Sequence, residues 1–229
     1  MSRIKYISFL ILICVISFHA NSENPRILLN QVQLKLNKVN NYKVDIHIKV
    51  DLPYIMMMPI KTKLYFKQKD KFKIDTKSIA ILPKKGFLQL SNLVNDTINY
   101  TAVFQNFELI NGVKTSLINL IPNNDTSDVV LAKLWVDGIN KVVVKSQVTT
   151  KSSGTIKTEY LYNTQINFGL PDKIKFTVDI KKFKIPKAIA ADINTSTSKK
   201  VEKKSGEIIV TLNNYEINKG IPDILFNKP

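Results

Sequence analysis

Covalent chemistry needs nucleophiles, bases or metal ligands, and this chain carries few. Its 229 residues hold one cysteine, Cys14, and two histidines, His19 and His47. Cys14 and His19 fall in an N-terminal stretch that reads as a removable leader. A mature chain would keep His47 alone. Disulfides, thiol catalysis and a Cys/His zinc site are then excluded. A serine hydrolase would need His47 as its base, and no G-x-S-x-G elbow is present to pair with it. His47 falls between Asp45 and Lys49 on the polar side of an alternating stretch, as an exposed strand histidine would. The inventory argues against an enzyme, and predicts no cofactor and no metal.

The leader is Met1–Ala20. Arg3 and Lys5 form its charged start, and Tyr6–Phe18 is an apolar core too short to span a bilayer. Cleavage is expected near Ala20, with export. A lipid-modified terminus at Cys14 is disfavoured because Ile13 stands where that processing wants a small residue. No other segment is long and apolar enough to cross a membrane. The net charge is +16, from 34 Lys+Arg against 18 Asp+Glu. Solvated lysine-rich faces explain it most simply, and a surface meeting anionic lipid or protein is the functional alternative. No nucleic-acid signature accompanies the charge.

Such a chain must act through shape, so its elements decide. Residues 23–41 read as a helix, with Leu28, Val32, Leu36 and Val39 on one stripe, Pro25 in its first turn and Ser22 as a possible cap. Tyr42–Leu52 alternates, with Tyr42, Val44, Ile46, Ile48 and Val50 on one face. Pro53–Pro59 follows, an apolar loop of Tyr54, Ile55, Met56, Met57 and Met58. It reads either as chain tucked into a core or as a rim that touches lipid.

Further strands are expected at 60–68, 71–76, 97–104, 107–110, 113–121, 155–162, 173–180 and 206–218. Asn111-Gly112 marks a tight turn. Residues 78–94 read as irregular apolar chain able to act as a lid. Residues 181–205, rich in lysine, read as a long solvated loop, with an acidic or anionic partner as the minority alternative.

The most informative stretch is Val129–Lys151, two strands predicted to meet in a tight turn at Asp137-Gly138. One face carries Ala132, Leu134 and Val136. The other is only partly polar, because it holds Leu131, Trp135 and Val143. Such a hairpin needs cover on both sides. In total about eleven strands follow one helix, mostly in sequence-adjacent hairpins. That pattern predicts a mainly β (α+β), strongly curved antiparallel sheet or barrel in one domain, residues 21–229. One helix is little to fill its concave side, so an apolar cavity is expected. From alternation its lining is predicted as Ile46, Ile48, Val50, Leu64, Phe66, Phe72, Tyr100, Phe104, Leu134, Val144, Tyr160, Phe176 and Val178.

Four segments carry a family resemblance: Y-K-V-D-I-H-I-K-V at 42–50, L-Y-F-K-Q-K-D-K-F-K-I at 64–74, L-W-V-D-x-x-x-x-V-V-V-K-S at 134–146 and G-L-P-D-K-I-K-F at 169–176. Together with the leader and helix they resemble the LolA/LolB-like periplasmic outer-membrane lipoprotein-sorting family, in its Bacteroidota type, over about residues 23–226. The resemblance implies an unclosed antiparallel barrel with helical lid segments over an apolar cavity. It also implies a monomeric carrier whose ligands are acylated lipoproteins or lipids. The implied partners are an inner-membrane release complex and an outer-membrane acceptor. The rival is an envelope sensor or a lipid- or protein-binding module on the same fold, possibly membrane-anchored, whose partner would dock on residues 181–205.

Overall fold

The structure is a computed structural model that describes residues 24–52, 57–68, 71–75, 90–91, 93–96, 98–152, 154–179 and 205–226. The leader, Tyr54, Ile55, Met56, most of the apolar stretch after Ser78 and the lysine-rich residues 181–204 lie outside the described residues.

Among the described residues the first element is the helix α1 (Pro25–Leu36). Its cap is Asn24, whose side-chain oxygen accepts from the backbone N–H groups of Arg26 (3.0 Å) and Ile27 (3.4 Å). Pro25 takes the first helical position, where a missing N–H costs nothing. The stripe turns Leu28, Leu29 and Val32 inward, while Ile27 and Leu34 face out. The helix stops at Leu36, earlier than the sequence pattern suggests, and Asn37–Asn40 leads into the sheet.

Ten strands follow: β1 (Asn41–Asp51), β2 (Ile60–Lys67), β3 (Lys71–Ile74), β4 (Tyr100–Ile110), β5 (Val113–Pro122), β6 (Val129–Asp137), β7 (Val142–Thr150), β8 (Gly154–Leu161), β9 (Lys173–Asp179) and β10 (Ser205–Ile217). They form one antiparallel sheet in the order β3-β2-β1-β10-β9-β8-β7-β6-β5-β4. The last strand therefore inserts between β1 and β9, and β3 and β4 remain as edges. Among the described residues those edges do not pair, so the barrel is unclosed.

The predicted strands 97–104 and 107–110 are one strand. A bulge between Phe104 and Asn106 absorbs Gln105, so Phe104 and Phe107 fall on the same face. Their rings meet edge-on with centroids 5.0 Å apart.

Asn111 and Gly112 both have positive φ (49° and 82°) and make the two-residue turn that the sequence predicts. The Asp137-Gly138 turn is different. Its loop is four residues, 138–141, and the left-handed residue is Lys141 (φ 54°), not Gly138. The cause is Asp137. Its buried carboxylate accepts from the N–H groups of Ile139 (2.8 Å) and Asn140 (3.0 Å) and from Asn140 Nδ2 (2.7 Å), which folds the loop around it.

The core lies between α1 and the concave face. Leu28, Leu29 and Val32 pack with Val44, Ile46 and Ile48 of β1, Leu134 of β6, Phe176 and Val178 of β9, and Ile208 and Val210 of β10. Leu93 and Val94, in a helical turn between β3 and β4, join the same cluster. After β10 the chain turns back to the β2–β3 edge. There Lys67 and Lys71 both place Nζ 2.8 Å from an Asp223 carboxylate oxygen. Hydrogen bonds from these two ammonium groups hold the Asp223 carboxyl down to about 2.

Candidate functional site

Antiparallel pairing gives the sheet two distinct ends. One end collects the start of β1, the 138–141 loop, the 162–172 loop and the end of β10. A cavity of about 100 Å³ opens there. Its walls are Leu36 and Val39 from α1 and its link, Tyr42, Phe66 and Phe72 from β1–β3, and Leu212 and Tyr215 from β10. Ile174, Tyr160, Tyr162, Leu90, Ser91 and residues 169–171 complete it.

Aromatic rings build most of the wall. Tyr42 stacks on Phe66 with centroids 5.1 Å apart and meets Tyr215 at 5.6 Å. Two of the tyrosine hydroxyls are tied to backbone: Tyr162 donates to the Val143 carbonyl (2.9 Å) and Tyr215 to the Pro171 carbonyl (2.7 Å). Tyr160 and Ser146 share a longer contact of 3.4 Å. Tying the hydroxyls to the frame fixes the rings as apolar surface.

Burial disfavours the phenolate, so the Tyr160 hydroxyl is pushed up to about 12, and those of Tyr42, Tyr162 and Tyr215 also rise. In the unfolded chain they ionise near the ordinary value of about 10. The fold therefore binds more protons than the unfolded chain above pH 10. The stability these tyrosines confer is full below that pH and lost as pH rises through the raised values. The unfolding free energy from urea titration should be level from pH 8 to pH 9.5 and then fall, by at most about 1.4 kcal/mol per pH unit for each tyrosine. Tyr160→Phe should lessen the slope. An identical slope in that variant would contradict the burial of this hydroxyl.

Of the residues predicted to line a cavity, Phe66, Phe72 and Tyr160 do so. Ile46, Ile48, Leu64, Leu134, Phe176 and Val178 are fully buried in the core beneath α1. Val50 and Tyr100 pack against that core at its margin. Phe104 lies half-buried on the edge strand β4, outside the core cluster.

Val144 is displaced by a bulge. Trp135 pairs with Lys145 but Val136 pairs with Val143, which leaves Val144 unpaired and sends Val143 into the core. The sequence pattern had assigned these two valines to the opposite faces. Trp135 lies on the convex side, where Lys145 Nζ sits 4.5 Å from its ring centroid and its indole N–H donates to Glu108 (2.7 Å). Its cover thus includes a cation from β7 and a carboxylate from β4, two strands away. In the apolar loop, Met57 packs on the core, while Met58 is 87% exposed.

Several cavity residues were on the predicted apolar faces without being singled out: Leu36, Val39, Tyr42, Tyr162, Ile174 and Leu212. Tyr215 was not on any. Two residues of β10, Asn214 and Tyr215, stand against the single Val44 of β1, and this bulge with its left-handed Asn214 (φ 56°) reverses the alternation of β10 after Leu212, so Tyr215 turns inward. An asparagine pair inside a strand, Asn213-Asn214, is the available signal, since asparagine tolerates positive φ. Among the described residues no group of three or more His, Cys, Asp or Glu could hold a metal. No helix among them is long and apolar enough to cross a membrane.

An unclosed antiparallel barrel with a helix packed on its concave face defines a class of cavity-forming β proteins. No family model matches the sequence. No curated protein matches it either. Solved structures do match in fold. A LolA superfamily protein from Nitrosomonas europaea superposes with a TM-score of 0.55 at 10% identity, over 90% of this chain and 99% of that one. A putative outer membrane lipoprotein-sorting protein domain from Vibrio parahaemolyticus gives 0.54 at 10% identity, over 89% and 97%. A DUF1329 family protein from Desulfovibrio piger gives 0.55 at 8% identity, over 90% and 98%. The chain has the LolA-like open barrel fold, as the sequence resemblance implied.

Proposed function

We propose that this chain, as a mature domain of residues 21–229 released by cleavage near Ala20, is a periplasmic carrier. It binds the acyl chains of lipoproteins beneath α1 and delivers them to the outer membrane. The observation that carries the reading is the concave face: a wide apolar wall in an open sheet, covered among the described residues mainly by α1. Each methylene withdrawn from water is worth about 0.8 kcal/mol, so a chain of about fifteen methylenes repays about 12 kcal/mol of shielding. A reversible carrier needs shape and a movable cover, not a nucleophile, and the chain acts as a monomer without a cofactor.

The chamber seen among the described residues is too small for that cargo. Its volume of about 100 Å³ is below that of an engineered cavity of about 150 Å³ that takes one benzene. In this reading loading moves α1 off the concave face, and cargo replaces its resident apolar face. The implied donor is an inner-membrane release complex and the acceptor lies on the outer membrane.

The test is incubation of the mature protein with spheroplasts, followed by native mass spectrometry. A one-to-one complex with lipoprotein is expected. A protein that stays empty and extracts nothing would overturn the reading in favour of a sensor or interaction module.

A further inference from the structure

We propose that the mouth of this cavity selects amphiphiles with an uncharged, hydroxyl- or amide-bearing headgroup. The inference rests on the carrier reading and deepens it by naming the ligand class. Beside the aromatic chamber lies a second hollow of about 440 Å³, and the two share the wall made by Leu36 and Phe66. A hollow of that size is within the roughly 300–1,000 Å³ range of small-molecule sites. The chamber is apolar and narrow, suited to the start of an alkyl chain. The outer hollow is lined by Asn37, Gln68, Ser91 and Asn95.

Charged residues make up 23% of the chain, and the net charge is +16. Yet among the described residues none that lines either hollow is charged. Lysine approaches the mouth at Lys67, next to Gln68, and its ammonium is directed to the Ile221 carbonyl (3.1 Å) and Asp223 (2.8 Å). Against the described lining, a carboxylate or phosphate seated here would lose hydration without gaining a cation or a cluster of N–H donors, which disfavours it.

The amides suit neutral partners. Gln68, which lines the hollow, spends its N–H groups on the Asn37 and Val39 carbonyls (3.2 and 3.1 Å), which leaves its side-chain oxygen as an acceptor. Asn95 likewise donates to Ser91 (3.2 Å), and its oxygen remains an acceptor. Acceptors of this kind bind hydroxyl and amide hydrogens. Headgroup and chain would then straddle the shared wall, with the glycerol or amide end outside.

The experiment uses three probes with one acyl chain: monooleoylglycerol, oleate and oleoyl lysophosphatidylglycerol. Each is titrated calorimetrically into the mature protein below its micelle concentration. The glycerol ester should bind about tenfold or more tightly than either anion, a difference that overall positive charge would not produce. Asn95→Leu, at an exposed position, should reduce that preference towards parity while its thermal melt stays unchanged. Gln68→Leu, which removes the acceptor, should weaken the ester further, and Asn95→Leu keeps the test valid should loss of the Gln68 N–H bonds unfold the link after α1. Equal or tighter binding of oleate or the lysophospholipid overturns the headgroup inference and leaves the carrier reading standing. Binding of none of the three also overturns it, and lipoprotein extraction from spheroplasts then decides the carrier reading separately.

Discussion

Phe176→Ala should cost about 3–5 kcal/mol of folding stability, the range for a fully buried aromatic truncated in a packed core. Phe176 is fully buried near the middle of the sheet, flanked in register by Thr158 on β8 and Ile208 on β10. The next inward residue along the same row is Ser146, opposite Thr158. Two small polar side chains, both buried, thus lie to one side of a large ring. Small residues in that row make the space the ring fills, so neighbours cannot close over the void once it is gone. Domains of this size have about 5–15 kcal/mol in total, so the loss is a large share of the whole. Urea unfolding followed by tryptophan fluorescence from Trp135 reads it directly. A loss under about 1 kcal/mol would mean that Phe176 is not packed as described.

Phe176 was legible in the sequence because β9 alternates without interruption: Ile174, Phe176 and Val178 against Lys173, Lys175 and Thr177. The same holds for β1, where Val44, Ile46 and Ile48 are buried as their spacing requires. Faces were lost wherever a bulge entered. One unpaired residue exchanges inside for outside for the rest of a strand. That is why the sequence pattern turns Val144 inward in place of Val143, which the structure puts in the core, and why it leaves Tyr215 out of the cavity wall. Bulges depend on pairing with a neighbour, which a local pattern does not contain. Long-range order was hidden for the same reason. Insertion of β10 between β1 and β9 brings Leu212 and Tyr215 to Tyr42, and no sequence spacing encodes that meeting. Asp137 shows the opposite limit: the dipeptide Asp137-Gly138 signalled a turn, but a buried carboxylate chose the four-residue loop.

Val32→Asp should detach α1 while leaving the sheet folded. Val32 is 2% exposed, with Leu28 and Leu29 one turn away in the same apolar stripe. Replacing it removes about 1.5–3 kcal/mol of burial and places a carboxylate where it has no partner. Beyond that stripe, two contacts among the described residues anchor the helix. Lys35 donates to the Asn140 carbonyl, and Gly169, with φ at 67°, lets the turn after β8 approach Leu36, where a Cβ would come within 3.2 Å of Leu36 Cδ2. Both contacts are at the C-terminal end of the helix, next to the Asn37–Asn40 link. Release should therefore swing α1 about that link, with its N-terminal half moving furthest. Trypsin should then cut after Arg26 and Lys35 several-fold faster than in the parent. A dye that fluoresces on apolar surface should bind the concave face, and the cooperative urea transition of the sheet should persist. The effect should also depend on pH. A buried carboxyl is raised above its unfolded value, so both states hold the proton in acid and the electrostatic part of the defect vanishes there. It returns as pH rises past the usual carboxylate range. Slow trypsin cleavage and no dye binding at pH 7 would show that α1 is held by more than its apolar face, and cargo could not then displace it. Fast cleavage with the sheet intact would establish α1 as the movable element that a carrier of this fold requires.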